Sequence, residues 1–93
     1  MAITRINNFE AKAGSEQALY KFLQSVISIV KECSGCQDCQ LLRSIENPAN
    51  LVIIEQWDSV ESHQKAASTI PPEKLKDAFE LFANPPSGHY YSH

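Results

Sequence analysis

Leu51-Val52-Ile53-Ile54-Glu55-Gln56-Trp57 decides the fold: the run is rich in β-branched and apolar side chains and contains no Gly or Pro. Such a run reads as a strand. It opens without polar alternation, the pattern expected of a central strand covered on both faces. Just ahead of it, Glu46-Asn47-Pro48-Ala49-Asn50 carries an Asn-Pro pair that initiates a turn. Residues 36–45, before that turn, read as a second strand, so the two are expected to pair as an antiparallel hairpin.

Working outward toward the amino terminus, Leu19, Phe22, Leu23, Val26 and Val30 recur at helical spacing until Cys33 and the Ser34-Gly35 break. Ser15, after Gly14, is the expected N-cap. Ile27 and Ile29 widen the apolar side, while Glu16, Gln17, Lys21, Gln24 and Lys31 make the other side polar, so this amphipathic helix should lie on one side of a sheet. Residues 3–9 read as the first strand, with Ile3, Arg5, Asn7 and Phe9 on one face and Thr4, Ile6 and Asn8 on the other. Both faces mix apolar and polar groups, as expected if one meets helices and the other lines a cavity.

Toward the carboxyl terminus, Asp58 or Ser59 caps a short helix running to about Ala67, and Pro71-Pro72 opens another. Leu75, Ala78, Phe79 and Phe82 form the expected buried face of that second helix, and Pro85-Pro86 ends it. Gly88-His89-Tyr90-Tyr91-Ser92-His93 reads as a short closing strand. With the two short helices counted as one crossover, the order is β-α-β-β-α-β. That order defines an α+β, ferredoxin-like fold in which helices cover one face of a four-stranded antiparallel sheet. The other face then needs a cover.

The 93 residues are expected to form one domain spanning 1–93, near the lower size at which a core is stable without disulfides, metals or a partner. A second copy would relieve that shortage. With 43% hydrophobic and 20% charged residues the composition is that of a folded protein. The net charge is −3, and Arg5, Lys12, Lys21, Lys31, Arg43, Lys65, Lys74 and Lys76 are scattered, which argues against nucleic-acid binding. The apolar stretch from Val26 to Val30 is interrupted by Ser28 and falls far short of the roughly 20 residues a membrane helix needs. Met1-Ala2-Ile3-Thr4-Arg5 leads straight into a strand with no signal-peptide pattern, so the expected compartment is the cytoplasm.

The element order, the length, Gly35-Cys36 at the start of the second strand and Glu55-Gln56-Trp57-Asp58-Ser59 at the end of the third resemble the antibiotic biosynthesis monooxygenase family over essentially the whole chain. The resemblance implies a homodimer whose two sheets meet face to face in a dimeric α+β barrel. It also implies oxygen insertion into a small electron-rich quinol, phenol or anthrone, with dioxygen as co-substrate and no flavin, haem or metal cofactor. A ring hydroxyl must then lose its proton, and the resulting anion must meet dioxygen inside an apolar cavity.

Ile53, Glu55 and Trp57 share one face of their strand, giving a cavity there an aromatic wall and one carboxylate. Some family members carry an Asn four residues before this Trp and an aromatic residue six after it; here those positions are Ile53 and His63. Other members place a His eight residues after it, where this chain has Lys65. His63 is the candidate base, Trp57 the pocket wall and Asn7 the polar clamp, with Arg5 on the face of Asn7. Trp57 also reads as a core or dimer anchor, and His63 as a helix-surface residue. Tyr90 and Tyr91 point to opposite faces, so one enters the cavity or packs against a partner. Glu55 reads either as a buried base or as an ion-pair partner of Arg5 or Arg43.

Related haem-degrading enzymes combine a strand-one Asn with a Trp and a haem-ligating His in the helical region, an arrangement this chain does not match. Cys33, Cys36 and Cys39 form C-x2-C-x2-C, but Arg43 stands where a further Cys would complete an iron–sulfur run. They read as three free thiols with at least one buried, or as ligands joined by His89 or His93. A non-catalytic small-molecule-binding or stress-associated barrel remains the alternative function, favoured by Ile53 where an Asn would serve chemistry.

Overall fold

The computed structural model describes residues 2–93. Four strands and three helices follow in the order β1 (Ile3–Glu10), α1 (Glu16–Lys31), β2 (Cys36–Arg43), β3 (Asn50–Trp57), α2 (Val60–Ala67), α3 (Pro72–Phe79) and β4 (Ser87–Tyr91). The sheet runs β2-β3-β1-β4, and every neighbouring pair is antiparallel. This is the ferredoxin-like order read from the sequence, with both central strands supplied by the segments richest in β-branched residues.

α1 anchors the covered face. Leu19, Leu23, Val26 and Val30 are its buried residues and fall at helical spacing, each contributing about 1.5–3 kcal/mol by leaving water. Glu16 in the first turn and Lys31 in the last complement the helix dipole. Ser15 precedes the helix but makes no side-chain cap. Gly14, at φ +87°, instead donates its backbone N–H to the Glu16 carboxylate (3.3 Å), so the turn borrows an acceptor from inside the helix. Ser59 does cap α2, accepting from the Ser62 backbone N–H at 3.2 Å.

β3 pairs with β2 from Cys36↔Trp57 to Arg43↔Leu51, with an irregularity between Cys36 and Asp38. On its other side it pairs with β1 from Ile3↔Trp57 to Glu10↔Asn50. The hairpin ends earlier than expected, at Arg43, and Ile45 is 98% exposed in the turn. Contrary to the reading of β3 as equally covered, its burial alternates: Leu51, Ile53, Glu55 and Trp57 are buried, and Val52, Ile54 and Gln56 only half-buried. The reason is the two-residue period of a strand whose one face meets helices while the other meets none.

α3 departs furthest from expectation. Ala78 is buried, but Leu75 is 39% and Phe79 60% exposed. Its carboxyl end is tied to β1 by the Ala11↔Phe82 bridge and by backbone hydrogen bonds from Lys12 to Leu81 and from Ala83 to Glu10. The helix therefore stands off the sheet rather than closing on it, and the space beneath it is the cavity described next.

Candidate active site

The cavity lies between the sheet and the helices and measures about 240 Å³. Arg5 and Asn7 of β1 and Ile53, Glu55 and Trp57 of β3 form its floor. Phe22 and Val26 of α1, His63 and Ala66 of α2, and Leu75 and Phe79 of α3 lean over it, with Phe9, Ile70 and Phe82 closing the apolar end. The expectation that helices and cavity occupy opposite faces of β1 is corrected: one face serves both, because α2 and α3 leave a gap above the inward strand positions. Thr4, Ile6 and Asn8 instead belong to the uncovered face.

At the polar end Glu55 is 5% exposed and is held from two sides. Trp57 Nε1 donates to Glu55 Oε1 at 2.7 Å, and Asn7 Nδ2 donates to Glu55 Oε2 at 2.8 Å. Arg5 Nε donates in turn to Asn7 Oδ1 at 2.9 Å. His63 Nε2 stands 3.8 Å from Glu55 Oε1, and His63 Nδ1 is 2.7 Å from the Tyr90 hydroxyl. The imidazole packs edge-on against both Trp57 and Tyr90, and the Arg5 guanidinium lies 4.6 Å over the Tyr90 ring, closing the circuit. Two strand registers make this possible, Arg5↔Glu55 and Arg5↔Tyr90, which set β3 and β4 residues on either side of one β1 position.

Burial raises the Glu55 carboxyl above its usual pKa of 4.5, although the Trp57 hydrogen bond, the Arg5 charge and the Asn7 hydrogen bond pull the other way. Burial, and then the Arg5 charge, lower His63 below 6.5. The two shifts bring the proton affinities of these groups, 3.8 Å apart, toward one another.

Six of the seven candidate residues, Arg5, Asn7, Ile53, Glu55, Trp57 and His63, line this one cavity. Tyr90 stands at its rim, 37% exposed, joined through His63 and Arg5. The Asn7 amide oxygen accepts from Arg5 and one of its amide N–H groups donates to Glu55, so it orients the carboxylate. Arg43 is not a partner of Glu55; its guanidinium sits 4.0 Å over the Tyr20 ring. Phe9, Phe22, Ile70, Leu75, Phe79 and Phe82 line the cavity without having been singled out as site residues. Their only sequence signal was apolar periodicity, which reads the same for a core as for a pocket wall.

Cys39 is buried opposite Glu55, and burial together with that carboxylate pushes its thiol up to about 12. Cys33 and Cys36 are half-buried, and all three cysteines are free. Among the described residues no three His, Cys, Asp or Glu side chains group as a metal site would require. Nor is any helix of the described residues long and apolar enough to cross a membrane.

The family model for antibiotic biosynthesis monooxygenases matches residues 2–84. No curated protein matches the sequence. Among solved structures, Rv0793 from Mycobacterium tuberculosis is similar over 100% of this chain and 95% of its own, with a TM-score of 0.86 at 19% identity. PA3566 from Pseudomonas aeruginosa has a TM-score of 0.84 at 20% identity, covering 99% of this chain and 94% of its own. A mutant of SnoaB, a cofactor-independent oxygenase from Streptomyces nogalater, covers 99% of this chain and 92% of its own, with a TM-score of 0.83 at 15% identity.

Proposed function

Because this chain belongs to the antibiotic biosynthesis monooxygenase family, we propose that it is a cofactor-independent monooxygenase of small electron-rich aromatics, a quinol, phenol or anthrone. The observation that carries this reading is the single polar end of an otherwise apolar cavity, where a buried carboxylate, an imidazole and a phenol converge. Family membership supports a monooxygenase-type reaction, and the cavity supplies what such a reaction asks of a protein.

In this mechanism the aromatic ring occupies the apolar end and its hydroxyl approaches His63. With the Nδ1 proton donated to the Tyr90 oxygen, Nε2 keeps a lone pair on the side of Glu55 and accepts the hydroxyl proton. Glu55 sets the charge at the site and relays the proton, held in place by Trp57 and Asn7. Dioxygen accepts electrons from the substrate anion; one oxygen atom remains in the product, and the other leaves as water with the two hydrogens the substrate gives up. The apolar lining keeps water from quenching the anion.

The same proposal takes the protein to be a cytoplasmic homodimer. The uncovered sheet face carries Ile6, Leu42, Val52, Ile54 and Tyr91, of which Leu42 is 48% and Tyr91 51% exposed. An apolar sheet face of this kind calls for a partner. Light scattering at micromolar concentration is expected to give the mass of a dimer; a monodisperse monomer would refute that part.

Oxygen uptake with product mass, on reduced naphthoquinols and anthrones, tests the activity. Uptake above autoxidation, a product that has gained one oxygen atom and lost two hydrogens relative to the reduced substrate, and loss of both in His63→Ala are the expected results. No enhancement for any substrate, combined with saturable binding of the same compounds, would establish the cavity as a non-catalytic binding site, the alternative that buried Ile53 favours.

A further inference from the structure

The C-x2-C formed by Cys33 and Cys36 plays no part in the proposed reaction, yet its geometry is specific. Cys36 donates its backbone N–H to the Cys33 carbonyl at 3.2 Å, making the two cysteines the first and last residues of a hydrogen-bonded turn. Gly35, at φ +91°, occupies the third position, where a type II turn requires a positive φ. The Cα atoms at the ends of such a turn lie within about 7 Å, overlapping the separation a disulfide spans.

Each thiol is held only by a weak contact, Cys33 Sγ to the Ile29 carbonyl at 3.4 Å and Cys36 Sγ to the Asp38 carbonyl at 3.6 Å. Neither contact is a strong hydrogen bond that rotation toward the other thiol would have to break. Each also opens onto its own surface groove, that of Cys33 shared with Lys65 and Ser62 and that of Cys36 with Lys31 and Asp38, so a small oxidant reaches either. Cys39 is removed from this chemistry by its burial.

We propose that Cys33 and Cys36 are a reversible oxidation site that closes to an intrachain disulfide with a peroxide oxidant, and that this state is felt at the active-site wall. In the first step one thiol, as its thiolate, attacks hydrogen peroxide to give a sulfenic acid and water. The second thiol then displaces a further water as the S–S bond forms. The two thiols are oxidised by two electrons in total, and one peroxide is reduced to two waters. Burial and the Glu55 charge raise the Cys36 thiol, so attack through Cys36 quickens as pH rises.

The link to the site is direct. The Gly35 carbonyl accepts the Asp58 backbone N–H at 2.9 Å, and Cys36 pairs with Trp57 across the strands. A Cβ built on Gly35 would stand 2.6 Å from Ser62 Oγ and 2.7 Å from Asp58 Oδ1, so the turn is packed under the first turn of α2, which carries His63. A bridge that tightens this turn presses on both.

The experiment treats the folded, reduced chain with hydrogen peroxide, then measures intact mass, peptide linkage and titratable thiols after denaturation. The expected result is a loss of about 2 Da, as two hydrogens leave, a Cys33–Cys36 peptide link, and a thiol count falling from the three cysteines of the sequence to one. Dithiothreitol should restore all of them. Cys39→Ser should still form the bridge, and Cys36→Ser should not. Sulfonic acids without a bridge, a link to Cys39, or a bridge that forms only in the denatured chain would overturn the site. Emission from Trp57, the single tryptophan, should drop on bridging and recover on reduction in wild type and in Cys39→Ser; a bridge that leaves emission unchanged would overturn the coupling.

Discussion

The two ends of the cavity are built by opposite means. At the polar end directed bonds link the groups: Trp57 and Asn7 donate to Glu55, Arg5 donates to Asn7, and His63 pairs with the Tyr90 hydroxyl. At the apolar end Leu75 and Phe79 reach over the opening from a helix with one buried residue of its own, Ala78. The first end rests on directed bonds, within β1, within β3, between those two strands and from α2 to β4, each with its own geometric requirement. The second rests on non-directional apolar contact and tolerates substitution and movement. The proposed reaction places its chemistry at the end that is fixed and the substrate ring at the end that is not.

The harshest way to break this contrast is Trp57→Ala. Trp57 is fully buried, and truncation should cost about 3–5 kcal/mol in urea unfolding. Trp57→Phe should cost less, about 1–3 kcal/mol, for the lost donor to Glu55. Equal losses in the two variants would show that the hydrogen bond, not the volume, anchors the polar end.

Next in size is His63→Ala, expected to lower kcat about a hundredfold or more if His63 is the base. Because folding lowers the His63 pKa below 6.5, the imidazole stays free to accept a proton below that pH, and the acid limb of the rate profile should lie under 6.5. Arg5→Met removes one of the two causes and should move the limb upward. Stability carries the same sign: below pH 6.5 the unfolded chain takes up a proton that the folded His63 does not. Wild type should therefore lose stability relative to His63→Ala as pH falls through 6.5 toward the folded value. Glu55 acts oppositely, since its raised folded pKa makes the folded state the stronger proton binder above 4.5, so its contribution declines as pH rises.

Asn7→Ala should cost about 1–3 kcal/mol in urea unfolding, by leaving Arg5 Nε and Glu55 Oε2 short of partners. A loss of activity without that cost would mean that Asn7 meets the substrate after all. The smallest stability effect belongs to Phe79→Ala, within about 0.5 kcal/mol because the side chain is 60% exposed. It should raise KM with little change in kcat. A large kcat effect there would erase the division between the two ends.

Much of the molecule was legible in the residues. The helical spacing of Leu19, Leu23, Val26 and Val30 placed α1, and Pro71-Pro72 marked the start of α3, because these signals are local and carry their own period or backbone restriction. The shared face of Ile53, Glu55 and Trp57 followed from strand geometry and holds. Where α3 sits did not follow: Leu75 and Phe79 have the spacing of a buried face, and spacing cannot say whether that face meets a sheet or an open cavity. Ser15 had the identity of a cap but not its bond.

The sequence by itself determined the order of the elements and the inward set on each central strand, since each depends on neighbours a few positions away. Only the tertiary structure decided that Asn7 bonds to Glu55, and that Tyr90 reaches His63 across 27 positions of chain. It also decided that cavity and helices share one face of the sheet. Those outcomes turn on strand register and on the gap left between helices. Both are set by how the whole chain packs, which no local pattern encodes.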